Sequence, residues 1–305
     1  MSDQRTNGSL PVWHSMLFVP VNVQKFVDGA AARGPDAVIL DLEDAVAAAE
    51  KDRARTLIQD AAPIVSARGA DVVVRINRPW RMALRDIEAA VSNRVLALML
   101  PKTESPDHVR MIAEVVSELE AERGMRQGHT KLIAMIETTT AFFRMPEIAA
   151  SDPRLVAMTL GAEDFALAVG MPPEAEGLFF PKQQMIIAAK AAGILPLGFI
   201  GTVADFRDQD AFRATIQRSR RLGFLGSPCI HPLQVAILNE EFRPAPAEVD
   251  QARRMVAAYD EALAEGTGAV VFDGKMIDVP VVDRARQLLA REDAIAARLA
   301  RAGQA

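Results

Sequence analysis

Six short polar groups each follow directly on an apolar run: Asp41-Leu42-Glu43-Asp44, Arg75-Ile76-Asn77, Lys102, Glu137, Glu163-Asp164 and Cys229-Ile230-His231. Glu137 and Asp164 have no histidine or thiolate beside them, a donor set that selects a hard cation. Mg²⁺ commonly takes only one or two protein carboxylates and fills its shell with water and substrate. The alternative is that each acid separately caps a helix. Asp41, Glu43 and Asp44 crowd three like charges into four residues, a repulsion that a cation or a basic substrate group would relieve. They could instead cap the next helix or pair with Lys51 and Arg53.

Arg75 lies inside VVVRIN, where both neighbours belong to a strand core. Its planar guanidinium suits bidentate binding of a substrate carboxylate; an internal ion pair with one of the acids is the other reading. Lys102, after Pro101, fits a substrate-binding role or a surface one. Glu163 reads as a hydrogen-bonding neighbour of Asp164 rather than a ligand. His231 precedes Pro232, as a turn or helix-start residue would. Cys229 makes a weak nucleophile, because no base with an orienting partner stands beside it.

These groups need a scaffold that gathers them. Short apolar runs at Met16–Val19, Ala37–Leu40, Val72–Ile76, Val95–Leu100, Leu132–Ile136, Leu155–Leu160, Leu195–Ile200 and Gly223–Leu225 read as strands. They recur about every 30 residues, the size of one βαβ unit. Between them, Ser105 caps a helix with Pro106 at its first position, and Val109, Ile112, Ala113, Val116 and Leu119 fall on one face. Ala54, Leu57, Ile58 and Ala61 do the same after the second strand. Eight such units predict a (β/α)8 TIM barrel over residues 1–243 with an N-terminal tail, where all the strand C-termini converge on one face. An open doubly wound sheet is the alternative.

At Arg243-Pro244-Ala245-Pro246 the character changes. A helix over Ala247–Glu265, the glycine-punctuated GTGAVVFDGKMIDVP and a last charged helix make residues 244–305 a C-terminal helical lid or oligomerisation extension.

Half of the 305 residues are hydrophobic but only 5% are aromatic, a palette suited to helices on parallel strands. With 35 basic and 40 acidic residues, net −5 and no long block of either sign, no nucleic-acid or anionic-membrane surface is expected. One cysteine excludes an internal disulfide framework and a multi-thiolate metal site. The N-terminus MSDQRTNGSL lacks a signal-peptide pattern. The uncharged stretch Ala191–Ala204 is shorter than the roughly 18 residues of a membrane span. A soluble, cytoplasmic protein is expected. No nucleotide-binding glycine fingerprint, P-loop or nucleophile elbow occurs, and the four histidines form no zinc spacing.

Eight blocks carry a family resemblance: LFVP at 17–20, AVILDLEDAV at 37–46, VVVRIN at 72–77, LMLPKTES at 98–105, IAMIETTTA at 133–141, TLGAEDFA at 159–166, CIHPLQV at 229–235 and FDGKMIDVPVV at 272–282. In this order they resemble the citrate lyase β-subunit-like (CitE-like) family of the HpcH/HpaI aldolase–citrate lyase superfamily. The resemblance implies a Mg²⁺-dependent TIM barrel, with Mn²⁺ as an alternative ion, that makes or breaks a carbon–carbon bond next to an acyl-CoA thioester. It implies Glu137 and Asp164 as metal ligands and Arg75 as the group that holds a substrate carboxylate or oxo oxygen. Glu137 and Lys102 join Arg75 in substrate binding, and Glu43 and Asp44 match the acidic pair of the polar network. Asp278, in MIDVP, matches an acid/base that a neighbouring subunit's lid delivers in a homo-oligomer, trimeric or hexameric.

The implied reaction is reversible Claisen-type cleavage of malyl-, methylmalyl- or citramalyl-CoA to an acyl-CoA and a 2-oxo acid. The alternatives are a malate synthase-like or thioesterase outcome on the same esters, a CoA-independent 2-oxo-acid aldolase, and a non-catalytic CoA-ester-binding subunit. Two departures are expected to touch the rim of the site. His14 stands before Ser15 where the family usually has arginine, with Val21 after the proline, and PLGFIGTVADF lacks the acid that many relatives place near residues 197–199.

Overall fold

A computed structural model describes residues 10–202 and 208–302. The N-terminal segment read for signal-peptide character and the end of the Ala191–Ala204 stretch lie outside the described residues. Eight strands run parallel: β1 Ser15–Pro20, β2 Ala37–Asp41, β3 Asp71–Arg75, β4 Ala97–Leu100, β5 Lys131–Ile136, β6 Leu155–Leu160, β7 Leu195–Leu197 and β8 Ser227–Cys229. Their order is β7-β6-β5-β4-β3-β2-β1-β8. A parallel bridge between Leu197 and Gly226 joins the two ends, with Gly198 N donating to Gly226 O at 2.8 Å and Leu225 N to Pro196 O at 3.1 Å. The sheet thus closes into the (β/α)8 barrel expected from the repeat.

The helices outside it are α1 Gln24–Ala30, α2 Lys51–Thr56, α3 Ile58–Val65, α4 Trp80–Ala90, α5 Pro106–Glu122, α6 Thr139–Phe143, α7 Met145–Ala149, α8 Ala162–Val169, α9 Ala175–Ala191, α10 Gln209–Arg221 and α11 Pro232–Glu241. Ser105 caps α5 by accepting from His108 N at 3.1 Å, and Val109, Ile112, Ala113, Val116 and Leu119 are buried as their spacing predicts. The segment after β2 is not the single helix expected. It breaks at Leu57, whose amide bonds Ala54 O before the chain resumes as α3, although Ala54, Ile58 and Ala61 still face inward.

Alternation along the strands sets the plan of the site. One row of side chains (Ala37 and Ile39 on β2, Val73 on β3, Ile133 and Met135 on β5) forms the barrel's inner core, while Val38, Leu40, Val72 and Val74 face the helices. Because successive side chains alternate faces, Asp41, Arg75 and Glu137 continue the inward rows at the C-terminal mouth.

The eighth strand is Ser227–Cys229 rather than the apolar Gly223–Leu225. Phe224 packs into the outer core and Leu225 bonds β7, whereas Ser227 and Pro228, a polar residue and one without a backbone N–H, pair with β1. Gly226 must be glycine: a Cβ there would sit 1.6 Å from the Trp13 carbonyl oxygen.

The chain divides into two compact units at Phe242/Arg243. The second contains α12 Pro246–Ala264, a hairpin of β9 Val270–Phe272 and β10 Lys275–Ile277, and α13 Val279–Ala302. Asp273 and Gly274, at φ 47° and 76°, form the left-handed turn that a two-residue hairpin favours. Tyr259, Ile277 and Val282 make this unit's own small core. No helix among the described residues is long and apolar enough to cross a membrane.

Candidate active site

The register of β2 against β3 places Asp41 opposite Arg75. Arg75 donates Nε to Asp41 Oδ1 at 2.8 Å and Nη2 to Asp41 Oδ2 at 2.7 Å. The two-pronged edge expected to grip a substrate is therefore engaged by Asp41, which leaves Nη1. That atom lies 2.8 Å from Glu43 Oε2 and 3.3 Å from Asp44 Oδ2, and the Phe18 ring centroid is 4.8 Å from the guanidinium carbon. Burial opposes the guanidinium's charge, yet Asp41, Glu43 and Asp44 hold it protonated well above its usual range.

Asp41 also shapes the loop, accepting from Glu43 N at 2.9 Å and Ala45 N at 3.1 Å. Lys51 and Arg53 do not pair with these acids: Lys51 Nζ donates to the carbonyls of Leu42 and Glu43 at 2.9 and 2.7 Å, and Arg53 bonds Glu50. Burial pushes the Glu43 carboxyl up to about 7, with Arg75 opposing and Asp44 and Glu137 adding to the rise.

Neither Glu137 nor Asp164 caps a helix. Thr138 caps α6, and the cap position of α8 is Gly161, without a side-chain bond. Glu137 is buried and accepts from Lys102 N at 2.7 Å. Lys102 adopts a left-handed φ of 45° and lays its ammonium 3.4 Å from Asp164 Oδ1. Burial raises the Glu137 pKa against the Lys102 amide bond. Gly161 makes room for this carboxyl, because a Cβ there would lie 2.6 Å from Glu137 Oε1.

Among the described residues no group of three or more histidine, cysteine, aspartate or glutamate side chains could hold a metal. The donor chemistry nevertheless suits Mg²⁺: Lys102 bonds Glu137 through its main-chain amide and Asp164 through its ammonium, so two carboxylates gather at one residue, and Mg²⁺ asks for no more from a protein.

A cavity of about 430 Å³ opens at this mouth, lined by Arg75, Glu137 and Asp164 with the apolar Phe18, Leu160 and Ile230. Asp44 and Glu163 also border it, while Lys102 stands beside its carboxylates. Glu163 accepts a hydrogen bond from Thr202 Oγ1. His231 caps α11, accepting from Leu233 N at 3.2 Å, and the fully buried Cys229 thiol is pushed far up by desolvation, which removes it as a nucleophile.

His14 is not on the rim. It precedes the first residue of β1, at the opposite end of the barrel, where Nδ1 meets Asp36 Oδ2 at 2.9 Å. Asp278 is exposed in the second unit, just before α13, and its carbonyl accepts from Val282 N at 3.0 Å. The spacing of polar residues did not reveal Gly161 as a cradle, nor Lys182, a buried α9 lysine lining the cavity.

A closed (β/α)8 barrel with acids and one arginine converging at its C-terminal mouth has the layout of an enzyme. Residues 14–232 match the HpcH/HpaI aldolase/citrate lyase family, and the chain belongs to it and is a lyase. It is 36% identical over 284 residues to the citrate lyase subunit beta of Escherichia coli strain K12, covering 92% of this chain and 93% of that one. It is 33% identical over 296 residues to the L-malyl-CoA/beta-methylmalyl-CoA lyase of Rhodobacter capsulatus, covering 90% and 92%. Among solved structures, protein CitE of Mycobacterium tuberculosis, in complex with magnesium, acetoacetate and coenzyme A, superposes with a TM-score of 0.72 at 32% identity. That match covers 95% of this chain and all of the other.

Proposed function

We propose that this lyase reversibly cleaves a carboxylated 3-hydroxyacyl-CoA, such as malyl-, methylmalyl- or citramalyl-CoA, to a shorter acyl-CoA and a 2-oxo acid. Glu137 and Asp164 would hold the Mg²⁺ or Mn²⁺ that it needs. The observation that carries this reading is the meeting, in one cavity, of those two carboxylates and the Nη1 edge of Arg75. The kinship with a malyl-CoA lyase and with a structure holding magnesium, acetoacetate and coenzyme A supports it. When bound, the divalent ion supplies Lewis-acid polarisation of the hydroxyl or oxo oxygen.

Arg75 presents Nη1, which Glu43 and Asp44 share, to the carboxylate of the oxo-acid half, its other edge being locked on Asp41. In cleavage the 3-hydroxyl proton passes to the Glu43–Asp44 pair, and the bond between the hydroxyl-bearing carbon and the thioester α-carbon breaks. Its electron pair becomes the thioester enolate. Asp278, delivered by the C-terminal extension of a neighbouring copy in a trimer or hexamer, protonates the enolate carbon. Phe18, Leu160 and Ile230 keep that side of the cavity apolar, which protects the carbanion from water.

The test is a panel of malyl-, methylmalyl-, citramalyl- and citryl-CoA, with Mg²⁺ or with EDTA, read for glyoxylate, pyruvate or oxaloacetate. Release of a 2-oxo acid that depends on the ion and on Asp164 is the expected result. Ion-independent release, or free CoA accumulating with the intact hydroxy acid, overturns the lyase scheme in favour of another route or of hydrolysis.

A further inference from the structure

Lys182 sits in the middle of α9 and is only 3% exposed. Its ammonium donates to two main-chain carbonyls of the loop after β7, Phe199 O at 2.6 Å and Gly201 O at 2.5 Å, and lies 5.5 Å from the Phe199 ring centroid. That loop has an unusual backbone: Gly198 and Gly201 adopt φ of 133° and 142°, a region open in practice to glycine alone. The next residue, Thr202, donates its hydroxyl to Glu163 in the first turn of α8, beside Asp164. Glu163, Asp164, Gly201 and Thr202 all border the cavity.

We propose that Lys182 is a positioning residue: it holds the loop after β7 by its carbonyls so that Thr202 fixes Glu163 and, through it, the turn that presents Asp164. The inference rests on Asp164 being a metal ligand. A residue that only glued α9 to the barrel could be apolar to its tip, whereas Lys182 carries its ammonium to two main-chain carbonyls of this loop. The Phe199 and Gly201 carbonyls take their donor from this ammonium, and a buried carbonyl left without one is costly. Burial pushes the ammonium down to about 7 while Glu163 pulls it up.

The experiment measures Mn²⁺ binding to the full chain by titration calorimetry and electron paramagnetic resonance, together with KM and kcat. It compares wild type with Lys182→Met, Lys182→Arg, Thr202→Val and the Lys182→Met/Thr202→Val pair. Outer partners of metal ligands typically change affinity by about 10- to 100-fold. Lys182→Met and Thr202→Val are expected to weaken Mn²⁺ at least about tenfold, and the pair no more than Lys182→Met alone, since both act along one path. Lys182→Arg recovers part of the loss. Wild-type affinity in the two single variants overturns the inference while leaving the metal site standing. A wild-type protein that binds no Mn²⁺ overturns the metal site itself. Should Lys182→Met fail to fold, Thr202→Val decides alone.

Discussion

At the N-terminal end of the barrel Glu120 is fully buried and fully partnered: it accepts from Gly128 N and Thr130 N, each at 2.7 Å, and from both terminal nitrogens of Arg154, at 2.9 and 2.8 Å. Burial alone would raise its pKa, but Arg154 and the two amides hold it below the usual range. At the C-terminal end Glu43 and Glu137 are also buried, yet both are raised. Glu43 Oε2 lies at ion-pair distance from Arg75 without a hydrogen bond, and Glu137 Oε2 has one main-chain donor. The same barrel thus closes its charges at one end and leaves them short of partners at the other. A deficit of positive charge beside a cavity is what a cation and an anionic substrate can fill.

The strongest way to break this contrast is to remove a carboxylate from the deficient end. Asp164→Ala should cost at least about a thousandfold in 2-oxo acid release, roughly 4 kcal/mol of transition-state stabilisation. Its unfolding midpoint should barely move, because Asp164 is about one-third exposed and its Lys102 pair is a weak surface contact. Activity within tenfold of wild type would mean that the deficit is not where the reaction occurs. Arg154→Ala, at the completed end, should do the reverse. It strands a buried carboxylate and should cost about 3 kcal/mol in urea unfolding, the low side of the range because two amide donors remain. kcat should stay as it was, and a kcat change without a stability change would erase the distinction between the two ends.

The deficient end was the more legible in sequence. Its groups follow strands made of aliphatic runs, and inward alternation carries Asp41, Arg75 and Glu137 into one mouth. What stayed hidden depends on register rather than composition. That Asp41 rather than substrate takes the Arg75 fork follows from the pairing Asp41↔Arg75, which a single chain read in line does not contain. Strand eight was missed because Ser227-Pro228-Cys229 carries no apolar run and its neighbour Phe224 does service in the outer core instead. Lys182 was invisible for a similar reason: its partners are main-chain carbonyls 17 and 19 residues away, and carbonyls have no sequence signature. His14 was misplaced because its nearness to LFVP in sequence hid the length of β1 that separates it from the mouth.

Gly161 offers a smaller perturbation of the same end. A methyl there would press on Glu137 Oε1 and Cγ at 2.6 and 2.7 Å, and the carboxyl, held by the Lys102 amide, has to turn aside. Misplacing a reacting group by about 1 Å can cost on the order of a hundredfold. Gly161→Ala should therefore lower kcat by about 10- to 100-fold with a fall in stability near 1 kcal/mol. Unchanged kcat would show that Glu137 has freedom the contacts deny it.

The gentlest test separates the two ends by pH. Glu43 has its pKa raised from 4.5 to about 7, so the fold disfavours its ionised form. For an acid shifted upward the penalty is absent below the unfolded value, grows between 4.5 and about 7, and is complete above that. Glu43→Gln keeps the shape and cannot ionise, and Arg75 retains Asp41 as its counter-charge. In metal-free buffer the variant should be more stable than wild type by about 1 to 2 kcal/mol at pH 8, with the advantage vanishing near pH 4.5. Glu120→Gln should be less stable than wild type at pH 8, because Glu120 is shifted the other way and its stabilisation is present above the unfolded pKa and lost on acidification. Calorimetric melting of both variants from about pH 3 to 8 reads the two slopes, that of Glu43 lying above pH 4.5 and that of Glu120 below it. Equal signs would show that the two ends bury charge alike, and the contrast on which the assignment of the site leans would fall with them.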